Sequence, residues 1–257
     1  MAKFGIGQPV PRLEDPRFIT GRGRYVDDIE MPHQCHGVLV MSPHAHARIT
    51  GIDTAAAKAA PGVLVVLTGA DAETDKIGSL VPIMPEDMGG PKGYRTLRPI
   101  LSSGKVRAVG DRVAFVVAET LQQARDAAEL IAVAYDPLPA VVSLEDAVKP
   151  GAPTIWDGAP NNVAVALMMG SKEATDAAFA GAKHIVSVKL VNNRVSANSI
   201  EPRAAIGQYH PDNESYTLYA TSQNPHGHRA HVAGDVLKVP QVKLRVISPD
   251  VGGGFGT

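Results

Sequence analysis

The chain alternates between two hydrophobic periods. The clearest unit starts at Arg112, where Val113, Phe115, Val116 and Val117 predict a strand over 112–118. Thr120 then opens a helix in which Leu121, Ala124, Ala128 and Ile131 fall on one stripe, since side chains three and four positions apart share a helix face. An extended run over 131–135 follows and breaks at Asp136-Pro137-Leu138-Pro139. Upstream, Asp53 or Thr54 is placed to cap a short alanine-rich helix over 55–60, whose first N–H groups need an acceptor. Pro61-Gly62 ends that helix, and Val63 to Leu67 reads as a buried strand. The stretch from Gly5 to Gly23 is polar and punctuated by proline, which predicts no regular structure there.

Two breaker-rich stretches organise the rest. Residues 81–99 carry Pro82, Pro85, Gly89, Gly90, Pro91, Gly93 and Pro99, which predicts one long loop. Between Asp136 and Asn162 a second set of prolines and glycines predicts a domain boundary near residue 150. Three segments result: an extended N-terminal piece (1–19), a first domain (20–148) and a second (149–257). In the second, His184 to Leu190 alternates apolar and polar residues, and 204–209 with 215–219 predict a hairpin around Pro211-Asp212-Asn213-Glu214. Asn224-Pro225 has the chemistry of a helix start, with the helix running to about Leu237 and stopping before Pro240. A last strand with Val242, Leu244 and Val246 on one face leads into a glycine cluster. The class is α+β.

Composition narrows the function classes. Lys and Arg number 25 against 26 Asp and Glu, a net charge of -1, so no excess of cations neutralises a nucleic-acid backbone or an anionic membrane. The single cysteine, Cys35, supports neither an intrachain disulfide nor a cysteine-rich metal or iron–sulfur site. The N-terminus lacks the apolar core of a signal peptide, and the apolar runs are too short to span a bilayer, which points to a cytoplasmic protein.

Chemistry concentrates near the C-terminus. Gly252-Gly253-Gly254-Phe255-Gly256 follows a strand, and consecutive glycines let backbone N–H groups approach an anion without Cβ atoms in the way. A flexible turn explains the same residues. The spacing matches neither the dinucleotide fingerprint nor a P-loop, so a conventional NAD or ATP site is disfavoured. Gln223, within Thr221-Ser222-Gln223-Asn224-Pro225-His226, sits between a strand and a helix start, where it either meets a ligand or satisfies nearby backbone. His226, His228 and His231 invite a metal hypothesis, although on a helix only the last two share a face; His44 with His46, and His33 with Cys35 and His36, are weaker groupings. Glu201-Pro202-Arg203 reads most simply as an ordinary ion pair.

Taken in order, the motifs resemble one family. Gly7-Gln8-Pro9-Val10-Pro11-Arg12-Leu13-Glu14-Asp15, the stretch Thr20 to Ile29, Ser42-Pro43-His44-Ala45-His46-Ala47-Arg48-Ile49 and Val109-Gly110-Asp111-Arg112-Val113-Ala114 come first. Ala124 to Ile131, Glu201-Pro202-Arg203-Ala204-Ala205, Ser222-Gln223-Asn224-Pro225-His226 and Pro249-Asp250-Val251-Gly252-Gly253-Gly254-Phe255-Gly256 complete the series. The chain is similar to the N-terminal part of the molybdenum-cofactor subunit of the xanthine oxidase family, in its aerobic carbon monoxide dehydrogenase branch.

The resemblance implies an α/β-hammerhead domain over 20–148 and the incomplete N-terminal part of the first molybdopterin-binding domain over 149–257. It implies a molybdenum–molybdopterin cofactor, with the cytosine dinucleotide as a candidate form. Gln223 would support an oxygen ligand of molybdenum, and Gly253, Gly254, Phe255 and Gly256 would pack on the cofactor. The pterin holds the metal, so no side chain need ligate it and the histidines return to structural roles. Iron–sulfur clusters and FAD would reside on partner subunits, in a dimer of heterotrimers without nucleic acid or membrane span. The implied reaction oxidises CO, an aldehyde or an N-heterocycle with oxygen from water. Family subunits continue well past the glycine loop, so the catalytic set is expected to be incomplete in this chain and finished by the remainder of the subunit, from the same gene or a split chain. The alternatives are a non-catalytic module that packs against partners or a fragment that binds no cofactor alone, with a dinucleotide-dependent dehydrogenase a distant third.

Overall fold

The computed structural model describes Gly7 and residues 9–256. The start of the expected 1–19 segment, the Gln8 position of the first motif and the last residue of the 149–257 domain lie outside the described residues. The elements are α1 (Asp15–Ile19), β1 (His36–Met41), β2 (Ala47–Asp53), α2 (Ala55–Lys58), β3 (Val63–Thr68), α3 (Gly69–Thr74), β4 (Ser79–Leu80) and β5 (Arg98–Pro99). They continue as β6 (Lys105–Val106), β7 (Arg112–Ala118), α4 (Leu121–Glu129), β8 (Ala132–Pro137), α5 (Leu144–Ala147) and α6 (Lys172–Gly181). β9 (Ala205–His210), β10 (Ser215–Ala220), α7 (Pro225–Ala230) and β11 (Leu244–Ile247) complete the set.

These elements form two compact units. One gathers residues up to 32 with 195–230 and 239–257; the other holds 33–194 and 231–238.

The larger unit contains two three-stranded antiparallel sheets, ordered β1-β7-β3 and β6-β2-β8. Helix α4 covers the first sheet, with Ala127 packed in one cluster with Val66, Ala114, Val116, Ala57 and Ile131, and Ala124 buried as well. Ala47, Val106 and Val113 form a second cluster, and Val40 and Val133 pack on both. Small residues on α4 let the helix approach the sheet closely, which is why the stripe works without large side chains. Leu121, expected on that stripe, is instead exposed at the first turn. Strand β3 is an edge strand covered on one side, so Val66 is buried while Leu64 and Val65 face outward, unlike the expected fully buried run.

Local chemistry sets the helix starts. The Thr120 hydroxyl accepts from Gln123 N at 3.2 Å, and the Gln123 side chain returns the bond to Thr120 N at 3.0 Å, a reciprocal cap. Thr120→Ala is expected to cost about 1 kcal/mol, read as a lower urea midpoint with unchanged slope. At α2 it is Asp53, not Thr54, whose carboxylate accepts from Ala55 N, at 2.9 Å.

Several sequence expectations need correction. Residues 15–19 form a helix because Pro16 occupies its first turn, where a missing N–H costs nothing. The 81–99 stretch holds a 3-10 turn at Pro85–Met88 and ends in β5, which pairs with β4 just before the stretch. It is tied by Arg95 to Glu86 at 2.7 Å and to Asp87. Residues 184–190 form no strand: this run has no ladder partner among the described residues, and Ile185, Val186, Val188 and Leu190 are exposed. The helix after Asn224 is α-helical only to Ala230 and continues as a π-helix over His231–Leu237. Val242 lies in a 3-10 turn and is exposed, outside the face expected for it.

The two compact units are interleaved along the sequence, and residues 147–164 pack within the larger one. Asn162 accepts from Ile155 N and donates to the carbonyls of Ala147 and Pro153, each at 2.9 Å. The Arg107 guanidinium lies over the Trp156 ring, 4.2 Å from its centroid, and Tyr94 N donates to Ala164 O at 2.7 Å. The proline- and glycine-rich stretch therefore wraps onto the larger unit.

In the smaller unit, β9 and β10 form the expected hairpin, and β11 adds parallel to β10 with Tyr219 opposite Ile247. That register brings the C-terminal ends of two parallel strands level with each other.

Candidate functional site

The loops leaving those two strand ends carry the chemistry. In parallel sheets, adjacent strand ends deliver their following loops to one place, a frequent position for ligand sites. After β10 come Thr221, Ser222, Gln223 and the Asn224 cap, whose side chain accepts from Gly227 N at 2.9 Å. After β11 come Ser248 to Gly256. Ser248 Oγ donates to Ser222 O at 2.8 Å, fastening the two segments where they leave the sheet.

Gln223 and the glycine loop, singled out in the sequence, come together. Gly256 N donates to Gln223 Oε1 at 3.1 Å. A Cβ on Gly254 would run into Gln223, with that same Oε1 as its nearest atom. Because the carbonyl end of the amide is engaged by the loop, its NH2 end is left to face outward as a donor. Gly254 is required by close approach rather than by backbone conformation, since its φ is not left-handed. Gly253 and Gly256 have φ of 133° and 82°, values that favour glycine. Phe255 has φ 48° and an exposed ring lying beside Gly253. Held left-handed without being glycine, it marks stored backbone strain of the kind found at binding loops.

Other loop contacts come from residues that periodicity did not flag. Ser199 Oγ donates to Gly253 O at 2.7 Å. Glu201, expected in an ordinary ion pair with Arg203, instead accepts from Gly252 N at 2.7 Å and from Thr221 Oγ1 at 2.9 Å. Gly253 N and Phe255 N find no acceptor among the described residues, which leaves two backbone donors in the loop.

Asp250 anchors the approach to the loop. Arg17 grips its carboxylate through both terminal nitrogens, Nη2 reaching Oδ1 at 2.6 Å, and Arg24 N donates to Oδ2 at 2.7 Å. The Arg17 bond, then the Arg24 N–H, hold the Asp250 carboxyl below its ordinary value of 3.8, and the same pair raises Arg17. A depressed carboxyl contributes stability that is present above the unfolded-state value and lost as pH falls through the folded one. Wild type and Asp250→Asn are therefore expected to differ in urea midpoint at neutral pH and to converge below about pH 4, measured from pH 7 to 2.5.

The histidines do not assemble. His226 and His228 lie on α7, while His231 Nδ1 pairs with Asp235 at 2.7 Å, and no group of three potential metal-ligating side chains occurs among the described residues. An amide donor, the loop N–H groups of Gly253 and Phe255, and glycines at 252, 253, 254 and 256 make a donor set that suits a group rich in acceptor oxygens. Among the described residues no helix is long and apolar enough to cross a membrane.

Comparison with known proteins finds two family domains along the chain. Residues 20–139 match the a/b hammerhead domain of aldehyde oxidase and xanthine dehydrogenase, and residues 155–257 match the molybdopterin cofactor-binding domain. The chain is 36% identical to the carbon monoxide dehydrogenase large chain of Afipia carboxidovorans, over 98% of this chain and 31% of that protein. It is 37% identical to the nicotine 6-hydroxylase large subunit of Paenarthrobacter nicotinovorans, over 98% of this chain and 30% of that one. Quinoline 2-oxidoreductase from Pseudomonas putida 86 superposes with a TM-score of 0.86 at 37% identity, covering 99% of this chain and 31% of that one. The chain thus spans about a third of the length of each of these three relatives.

Proposed function

The chain belongs to the aldehyde oxidase and xanthine dehydrogenase family, being built of its hammerhead and molybdopterin cofactor-binding domains, and on that premise we propose that the Gln223–glycine-loop site forms one wall of a molybdenum–molybdopterin pocket. The observation that carries this reading is the level ending of β10 and β11, which brings the amide of Gln223 against Gly254 and Gly256. When bound, the cofactor supplies the two-electron oxidation of a substrate carbon with oxygen taken from water.

The protein's own part is orientation. Gln223 holds its carbonyl end on Gly256 N and offers its NH2 end to an acceptor oxygen of the cofactor, without titrating near neutral pH. Gly253 N and Phe255 N offer further donors, fixed before the ligand arrives, and preorganised donors cost no reorganisation when charge develops. Gly254 keeps the space beside Gln223 clear. The domain division at 148/149, with hammerhead before it and cofactor domain after it, belongs to the same proposal.

The complete protein is proposed as a cytoplasmic molybdenum hydroxylase acting on CO, an aldehyde or an N-heterocycle. Its iron–sulfur and FAD groups would sit on partner subunits in a dimer of heterotrimers, with the rest of the molybdenum subunit closing the pocket. The relatives' substrates, carbon monoxide and nicotine among them by name, differ too widely for one to be assigned. The test is metal and pterin analysis of the chain purified alone and together with the polypeptide that completes the subunit. Molybdenum and pterin in the complex, with cytidine monophosphate released on acid hydrolysis, support the reading. Their absence from both preparations supports a module that only packs against partners.

A further inference from the structure

One half-buried carboxylate joins the two halves of the site and has no ion-pair partner among the described residues. Glu201 uses Oε2 to accept from Gly252 N at 2.7 Å and Oε1 to accept from the Thr221 hydroxyl at 2.9 Å. Gly252 opens the glycine loop, and Thr221 lies two positions before Gln223 on the segment leaving β10. A Cβ on Gly252 would collide with Glu201 Cβ and crowd its backbone N and Cα, so glycine at 252 lets the loop come close enough to residue 201 for the carboxylate to reach Gly252 N. The first glycine thus answers to Glu201 and the third to Gln223.

We propose that Glu201 is a positioning residue: its carboxylate sets the separation between the glycine loop and the strand end carrying Gln223. The chemistry suits the task. A carboxylate accepts at two oxygens at once, and charge-assisted bonds to N–H and O–H are shorter and stronger than neutral ones. Its two hydrogen bonds run to the two segments that carry the site, so losing the side chain releases both together. Among the described residues the Glu201 carboxylate bonds to Gly252 and Thr221, and it acts through them. The proposal deepens the cofactor reading and rests on it for its purpose, but the positioning itself is measurable in protein that carries no cofactor.

Hydrogen–deuterium exchange is followed at amides 252–256 in the full-length protein from cells starved of molybdate. Glu201→Ala is expected to accelerate exchange at Gly252 about tenfold or more while the β10 amides 215–220 hold their wild-type rates. Glu201→Gln keeps one acceptor oxygen and is expected to return Gly252 most of the way to wild type. Unchanged loop exchange in Glu201→Ala, or an equal rise throughout β10, overturns the proposal, the second by showing a merely structural role. Failure of the glutamine variant to restore slower exchange overturns it as well. If Glu201→Ala does not accumulate as folded protein, Thr221→Val removes one of the two contacts, and faster exchange at 252–256 is again required. In molybdate-fed cells, absence of molybdenum from the wild type would sink the cofactor reading and leave the exchange result to decide the role of Glu201.

Discussion

Gly254→Ala is expected to lower the turnover of the completed enzyme about 100-fold while leaving the two compact units folded. The added methyl has nowhere to go. Its nearest neighbour is Gln223 Oε1, and Gln223 Cδ and Cβ follow at 3.0 and 3.1 Å. Backbone strain is not at issue, because φ at this position is one that alanine adopts freely. The substitution therefore reads out crowding alone. Either Gln223 swings away, giving up its bond from Gly256 N, or the loop backs off and carries its donors with it. A displacement of about 1 Å in a positioning group is enough for a loss of this size. The check is activity per molybdenum, beside the urea midpoint. Wild-type turnover in this variant would show that the Gln223–Gly254 approach does not matter to the reaction.

Gln223→Glu is expected to lower turnover by about 100- to 1,000-fold, the range for removing one preorganised donor from an active site. The replacement nearly preserves shape, and a carboxylate oxygen still accepts from Gly256 N. What changes is the outward end: two N–H donors become an oxygen carrying negative charge, facing the acceptor oxygens of the proposed cofactor. Stability is expected to stay within about 0.5 kcal/mol because the side chain is exposed in this chain. Activity per molybdenum and metal content are the measurements. Full activity in Gln223→Glu would mean that the amide does not donate to the cofactor.

Much of the fold was legible because local signals agreed. The strand over 112–118, the Thr120 cap and the hairpin around 211–214 each follow from residues within a few positions of one another. The pairing of Gln223 with the glycine loop was also readable, though through the order of the motifs rather than through spacing. The residues that hold the site in place were not. Arg17 meets Asp250 across 233 positions, and Glu201 meets Gly252 across 51. No periodicity links such residues, and each alone looks like an ordinary surface charge. The stretch at 184–190 failed differently: its alternation is that of a strand, but a ladder needs a neighbour, and the described residues provide none. Glu201 shows the limit of local reading most plainly, since the nearby Arg203 suggested a partner that the fold does not use.

The Arg17–Asp250 grip also has a consequence in time. At translation speeds of roughly 5–20 residues per second, about 10–50 s separate the emergence of the arginine from that of the aspartate. Over that interval the guanidinium has no carboxylate to hold. The ring it closes spans 233 positions, and the entropy lost in closing it rises with the logarithm of its size. Its formation is accordingly a late event in biogenesis, after the hairpins and the capped helix have condensed. A nascent-chain series released at successive lengths and probed by pulse proteolysis should show protection at residues 15–24 arriving only once position 250 has cleared the ribosomal tunnel.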